Sequence, residues 1–273
     1  MINRKQIQKQ FQDATISDNF IFGRTMETNS DLCRRLIEKI LGIKISKIEY
    51  PEREKDIKAR IDAKGIRLDV YVEDIEGNRV FDVEMQTSND DDLAKRTRYY
   101  QGAIDLDRLK KGKHYRSLCD SYIIFICPFD LFEEDMIVYT FQMFCKENKK
   151  IALKNGSTVV FLNSKGTIGE VDEDLKSFLN YMTTGIADGA FAKEFDDAVQ
   201  RVKSKEEDRY MTYQMDLLGQ RLDGEEEGRA AVALNLAKMN MPIETICKAT
   251  ELSKEKILSL IETFSKENQE GKS

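Results

Sequence analysis

Histidine occurs once in this chain, at His114, and the five cysteines (Cys33, Cys119, Cys127, Cys145, Cys247) lie far apart with no CxxC pair. That scarcity argues against a His-based catalytic triad and against a structural zinc site. Cysteines scattered mostly through apolar runs read as small hydrophobes in a reducing setting, and a lone His beside Gly112 reads as a surface residue. No segment reaches the roughly 18 consecutive apolar residues a membrane span requires, and Met1 to Phe11 is polar rather than signal-like. The expectation is a cytoplasmic protein, not exported and with no membrane partner.

What is present supports a sizeable fold. Over 273 residues, 41% hydrophobic composition suffices for one large domain, or one domain with a small appendage. The formal charge of −6 counts against a polyanionic partner only if charge is evenly spread. It is not: from Lys95 to Arg116 eight basic residues stand against two acids, Asp105 and Asp107. Such a local basic stretch suits a phosphate backbone, although its end from Arg108 to Arg116 reads most simply as a solvated helix terminus, where cations are favoured.

Along the chain, Ser30 is placed to cap an amphipathic helix from Asp31 to Leu41, with Leu32, Leu36, Ile37, Ile40 and Leu41 on one face and Gly42 as its stop. Ile43 to Tyr50 reads as a strand in imperfect alternation. Ile66 to Glu73 and Arg79 to Thr87 are β-rich and flank a turn-forming cluster at residues 74–78, which predicts an antiparallel hairpin. Ser88, Asn89 and Asp90 offer caps for a helix reaching about Lys110. Tyr122 to Cys127 is a continuous apolar run closed by Pro128, as expected of a strand buried on both faces. Ile137 to Cys145 and Ser157 to Leu162 are further strands. From Asp172 onward the pattern is helical, with a turn-prone segment at Asp223 to Gly228. The fold class is therefore α/β (α+β), a mixed sheet flanked by helices with a helical C-terminal tail; the boundary falls near residue 205, giving 1–205 and 206–273.

The second hairpin strand carries the chemistry. Residues two apart share a face, so Asp82, Glu84 and Gln86 point one way and Phe81, Val83 and Met85 the other. A two-residue turn at Glu76 and Gly77 sets Asp69 opposite Glu84, and any loop with an even number of residues keeps it on that face. Facing carboxylates repel unless a cation sits between them. Oxygen ligands completed by water suit Mg²⁺ or Mn²⁺, which polarise a phosphate and lower the pKa of a bound water. On periodicity alone the same three residues could form the solvent face of an amphipathic sheet, and Asp82 reads as an exposed polar residue.

Asp69, fourteen residues, then Glu84-Met85-Gln86 resembles the D…(D/E)-x-K core of PD-(D/E)XK nucleases, in the branch where Gln replaces Lys. The strings LDVYVEDIEGNRVFDVEMQT and KRTRYYQG, with the opening segment ATISDNFIFGRTM, are similar to the recombination-promoting nuclease and putative transposase family. The likeness covers roughly Ala14 to Phe132. It implies a restriction-endonuclease-like fold and a Mg²⁺-dependent DNA endonuclease linked to recombination or mobile elements. Asp69 and Glu84 would bind metal, and Gln86 would stand where lysine usually does. Gln cannot titrate; it can only orient a water or phosphate oxygen. Arg96 and Tyr100, four apart on the next helix, are candidates for phosphate contacts, with Glu38 an optional extra acid and Asp18 a weaker one. Tyr99, Tyr100, Phe125 and Phe129 read as core rather than stacking platforms.

An alternative from a different class is an inactive nuclease fold kept as a DNA-binding or protein-interaction module. RNA as substrate, a homodimer, and the process served all stay open, whereas strand transfer by three acids lacks an evident third. The tail after Ala230, broken at Met241-Pro242 and turning at Glu251 to Ser253, is spaced like a helix-turn-helix. Its last helix is nearly balanced in charge (Lys254, Glu255, Lys256, Glu262) and so suits packing or dimerisation at least as well as groove reading.

Overall fold

The computed structural model describes residues 4–46, 48, 52–57, 66–74, 76, 78–89 and 92–270. Its contacts divide the chain into two compact units, Met1–Glu207 and Asp208–Ser273.

The first unit opens with helices α1 (Arg4–Asp13), α2 (Asn19–Thr28) and α3 (Ser30–Leu41). The polar lead thus contains two helices that the sequence reading did not anticipate. In α1 the apolar signal is short, Ile7 and Phe11 alone being buried. In α2 it is unpatterned, because Phe20, Ile21, Phe22, Thr25 and Met26 are buried almost all round. A helix covered on every side loses the polar stripe that periodicity detects. For α3 the amphipathic face and the left-handed Gly42 stop hold, but Ser30 is its first residue and Asn29 its cap.

Among the described residues, six strands form one sheet in the order β1-β2-β3-β4-β6-β5. They are β1 (Glu52–Ile57), β2 (Ile66–Asp74), β3 (Arg79–Met85), β4 (Asp120–Cys127), β5 (Val138–Phe141) and β6 (Ser157–Asn163). The first three run as an antiparallel meander, β3, β4 and β6 are mutually parallel, and β5 returns antiparallel along the edge. A parallel neighbour requires a crossover, and α4 (Leu93–Arg108) supplies it between β3 and β4. Of the strand expected over 43–50, residues 43–46 are not extended into the sheet, Ile48 forms an isolated bridge to Asp74, and 47, 49 and 50 lie outside the described residues; the first described strand is the charged run EREKDI. Its apolar content was too low to be seen; partnering with β2 decides it. The strand expected over 137–145 shortens to β5.

Helix α4 packs Leu93, Tyr100, Ala103 and Ile104 against Val80, Ile123, Phe125 and Phe161 of the sheet, and the rings of Phe125 and Phe161 stack at 5.3 Å. Elsewhere α2 packs on β1, β2, α3 and α6, and α5 (Glu173–Thr184) packs on α3 and α6 (Ala190–Lys203). Phe178, Phe191 and Phe195 form an aromatic knot there. Central strands therefore have both faces covered, so β3 is buried along nearly its whole length rather than half-buried. Among the aromatic residues expected in the core, Phe125 and Tyr100 are buried, Phe129 packs at the margin, and Tyr99 is 43% exposed.

The second unit holds α7 (Glu207–Lys238), α8 (Ile243–Thr250) and α9 (Lys254–Glu270). Helix α7 runs unbroken through the DGEEEG segment, since isolated glycines cost a helix only about 1 kcal/mol each and the residues around Gly224 and Gly228 sustain the turn. Ala233, Ile246 and Ile257 make its small core; Glu251 closes α8 in a left-handed conformation and the Ser253 hydroxyl accepts Lys256 N–H to start α9. Among the described residues no helix is long and apolar enough to cross a membrane.

Candidate active site

The hairpin register pairs Val70 with Val83 and Asp74 with Arg79, leaving a four-residue loop at 75–78. An even loop keeps the parity expected from the sequence, and one further step brings Asp69 to Glu84. There the side chains replace the ladder: Asp69 N–H donates to Glu84 Oε1 at 2.9 Å, and Met85 N–H donates to Asp69 Oδ2 at 3.0 Å. Each carboxylate thus caps the backbone of the opposite strand.

Asp82 and Glu84 lie on the face of β3 that α4 covers, beside Ile123 and Phe125 of β4. That cover is what sequence periodicity could not supply. Asp82 is 0% exposed, Glu84 4% and Gln86 8%, so the expectation of an exposed Asp82 is overturned. Neither Asp82 oxygen has a hydrogen-bond donor among the described residues. A proton held between Asp82 and Glu84 would relieve it. Burial, and then the charge of Asp69, pushes the Asp82 carboxyl well above the usual carboxylate range, with Glu84 and Arg96 opposing. Burial followed by Asp82 and Asp69 raises Glu84 likewise, against the Asp69 N–H that favours its charged form. Desolvation dominates both because removing a carboxylate from water costs more than weak neighbours return.

Among the described residues, one basic side chain is brought to this cluster. Arg96 Nη1 donates to Gln86 Oε1 at 3.0 Å and Nη2 donates to the Tyr100 hydroxyl at 3.1 Å. Its Nη2 lies 3.7 Å from Glu84 Oε2, an ion pair rather than a hydrogen bond. The guanidinium also sits over the rings of Tyr100 and Phe125, at 5.4 and 5.6 Å from their centroids. Burial pushes the Tyr100 phenol up to about 12, reinforced by Glu84, so the hydroxyl stays protonated at neutral pH. Gln86 Nε2 in turn donates to Ser88 O at 2.7 Å and Ser88 Oγ at 3.2 Å. Ser88 was expected as a helix cap; it braces Gln86 instead, while Asp92 stands at the start of α4 without a side-chain cap bond and Asp90 lies outside the described residues.

The remaining candidates have local structural work. Asp18 caps α2, accepting the Phe20 and Ile21 N–H groups. Glu38 accepts Ile45 N–H at 2.8 Å and pairs with Arg34 at 2.9 Å. The structure brings together Asp69, Glu84, Gln86, Arg96 and Tyr100. It adds two residues that sequence reasoning passed over: Asp82, whose parity with Glu84 was visible but whose burial was not, and Ser88, which only the chain path after β3 reveals.

No three of the described His, Cys, Asp and Glu residues are already gathered around a metal-sized gap. The donor set nonetheless fits a hard divalent cation. It offers carboxylate oxygens only, Asp82 leaves two oxygens buried without a donor, and Mg²⁺ commonly takes one or two protein carboxylates with water completing its shell.

No match was found among curated proteins or among solved structures. A family model described as PD-(D/E)XK nuclease family transposase matches residues 19–184, from the first residue of α2 to the last of α5, a span that takes in every strand, the carboxylate cluster and Arg96. Taken with the mixed sheet flanked by helices and the acids meeting across its β2–β3 hairpin, this match means that the chain belongs to the PD-(D/E)XK nuclease family transposases.

Proposed function

We propose that the protein is a metal-dependent DNA endonuclease that hydrolyses phosphodiester bonds with Mg²⁺ or Mn²⁺. The observation that carries this reading is the meeting of Asp69 and Glu84 across the hairpin with buried, donor-less Asp82 beside them: burial makes the Asp82 and Glu84 carboxyls hold protons, and a divalent cation would take the place of those protons and favour the charged forms. Nuclease-family membership supports DNA as substrate. Asp69 and Glu84 would hold the ion, which when bound supplies the positive charge that polarises the scissile phosphate and acidifies a water. Arg96 would meet a phosphate oxygen with its N–H groups, Tyr100 would fix the guanidinium plane, and Gln86 would fix its direction. We assign this chemistry to the unit before Asp208, and give the α7–α9 unit a packing or substrate-engaging role.

Nicking of supercoiled plasmid by the purified full chain, with Mg²⁺, Mn²⁺ or EDTA, tests it. Metal-dependent nicking in the wild type that Glu84→Ala loses is the expected result. Inactivity of the wild type in every metal, with salt-sensitive DNA binding retained, would instead make the protein a nuclease fold used as a binding module.

A further inference from the structure

We propose that Arg96 is the catalytic cation of this site, supplying from α4 the charge that the chain lacks at Gln86, and that Gln86 is the residue that positions it. The inference rests on the phosphodiester-cleaving reading above and deepens it.

The Gln86 amide is engaged at both ends: its N–H groups donate to Ser88 and its oxygen accepts from Arg96. Ser88 O is an acceptor only, so the NH₂ must face Ser88 and the amide oxygen must face Arg96. That leaves no flipped alternative. The side chain at the third motif position has become a bracket running from the loop after β3 to the guanidinium. Tyr100 takes the other arm of the fork, and the faces of Tyr100 and Phe125 hold its plane. Four contacts, from the loop after β3, from β4 and from α4 itself, thus fix a group whose ion pair with Glu84 is long, at 3.7 Å. The Arg96 side chain keeps 26% exposure while the Glu84 side chain keeps 5%, so the arginine lies on the solvent side of the acid, where an incoming phosphate would arrive. Arginine also forks onto phosphate with two parallel N–H bonds, which a lysine cannot do.

The chemistry is balanced without a titrating side chain at this position. A water oxygen bonds to phosphorus while one phosphorus–oxygen ester bond to the sugar breaks. The water's proton leaves to bulk solvent, and the departing oxygen takes a proton from solvent. Arg96 stays charged throughout, so it acts by its field on the hydroxide-like attacking oxygen and on the charge growing on the phosphate.

The test uses the full chain, with plasmid nicking in Mg²⁺, DNA affinity in Ca²⁺, and thermal unfolding. Arg96→Met should lower kcat by about 10²-fold or more, well beyond the accompanying loss of DNA affinity and with the protein still folded at the assay temperature, and Gln86→Lys placed in the Arg96→Met background should restore at least about tenfold of kcat. Arg96→Lys should fall between. If Arg96→Met keeps kcat while Glu84→Ala is dead, this inference fails and the nuclease reading stands. If Arg96→Met loses kcat but Gln86→Lys restores nothing, or if the loss of kcat is no larger than the loss of DNA affinity, the inference also fails. A wild type inactive in every metal overturns both readings together.

Discussion

Asp69 and Glu84 cap each other's strands: the Asp69 N–H is held by Glu84 Oε1 at 2.9 Å, while Asp69 Oδ2 holds the N–H of Met85, the residue after Glu84. Two acids that would repel across a hairpin are each stabilised by a backbone dipole from the opposite strand. A ligand set of this kind is kept in place without the ion, at the cost of tying up some of its lone pairs.

From that arrangement follows a graded pair of effects. Asp69→Asn and Glu84→Gln keep size and remove charge, and each should slow nicking by about 10³-fold, the several kcal/mol a metal contributes to the transition state. Circular dichroism should be unchanged. If either variant nicks within about threefold of wild type, that carboxylate is no part of the reaction.

Asp82 offers a separate handle on stability. Its carboxyl and that of Glu84 are raised in the fold, burial being the first cause. A raised carboxyl binds its proton more tightly in the folded chain, so its contribution is full below the unfolded carboxyl range and is lost as pH rises through the folded value. Asp82→Asn removes that loss. The metal-free variant should be more stable than wild type at neutral pH, by about 1–3 kcal/mol, and the advantage should shrink as pH falls below the carboxylate range. Thermal melts across pH would check it; an advantage that grew toward acid pH would contradict the assignment.

Hairpin geometry depends on a second ion pair. Asp74 is buried, and Arg79 both pairs with it and donates to Lys44 O at 2.8 Å. Arg79→Met removes the cation from a buried acid and should cost about 3 kcal/mol in urea unfolding. A change below about 0.5 kcal/mol would place the site's register under other control.

Near the β5 edge, a Cβ on Gly166 would meet Met136 O at 2.5 Å and its carbonyl carbon at 2.6 Å. The obstacle is backbone, which yields less readily than a side chain. Gly166→Ala should therefore destabilise by about 1–3 kcal/mol, measured by denaturant titration, with nicking by the surviving folded protein unaltered.

Asp69, Glu84 and Gln86 were placed on one face by parity alone, and the four-residue loop left that parity intact because its length is even. The strand β4 announced itself by an unbroken apolar run. By contrast, α2 was hidden because a helix buried all round has no amphipathic stripe, and β1 because its charged residues join the sheet only through β2. The exposure expected for Asp82 failed for a related reason: alternation tells which residues share a face, and it is silent on what covers that face.

The sequence by itself determined local geometry, since strand period, turn length and helix stops are set within a few residues by backbone sterics and side-chain alternation. Only the tertiary structure decided that α4 crosses over the acidic face of β3. That crossing buries Asp82 and Glu84, carries Arg96 to within 3.7 Å of Glu84 and joins it to Gln86. Desolvation and charge pairing act through space between residues distant in the chain, so the electrostatic character of this site exists only once the layers have packed.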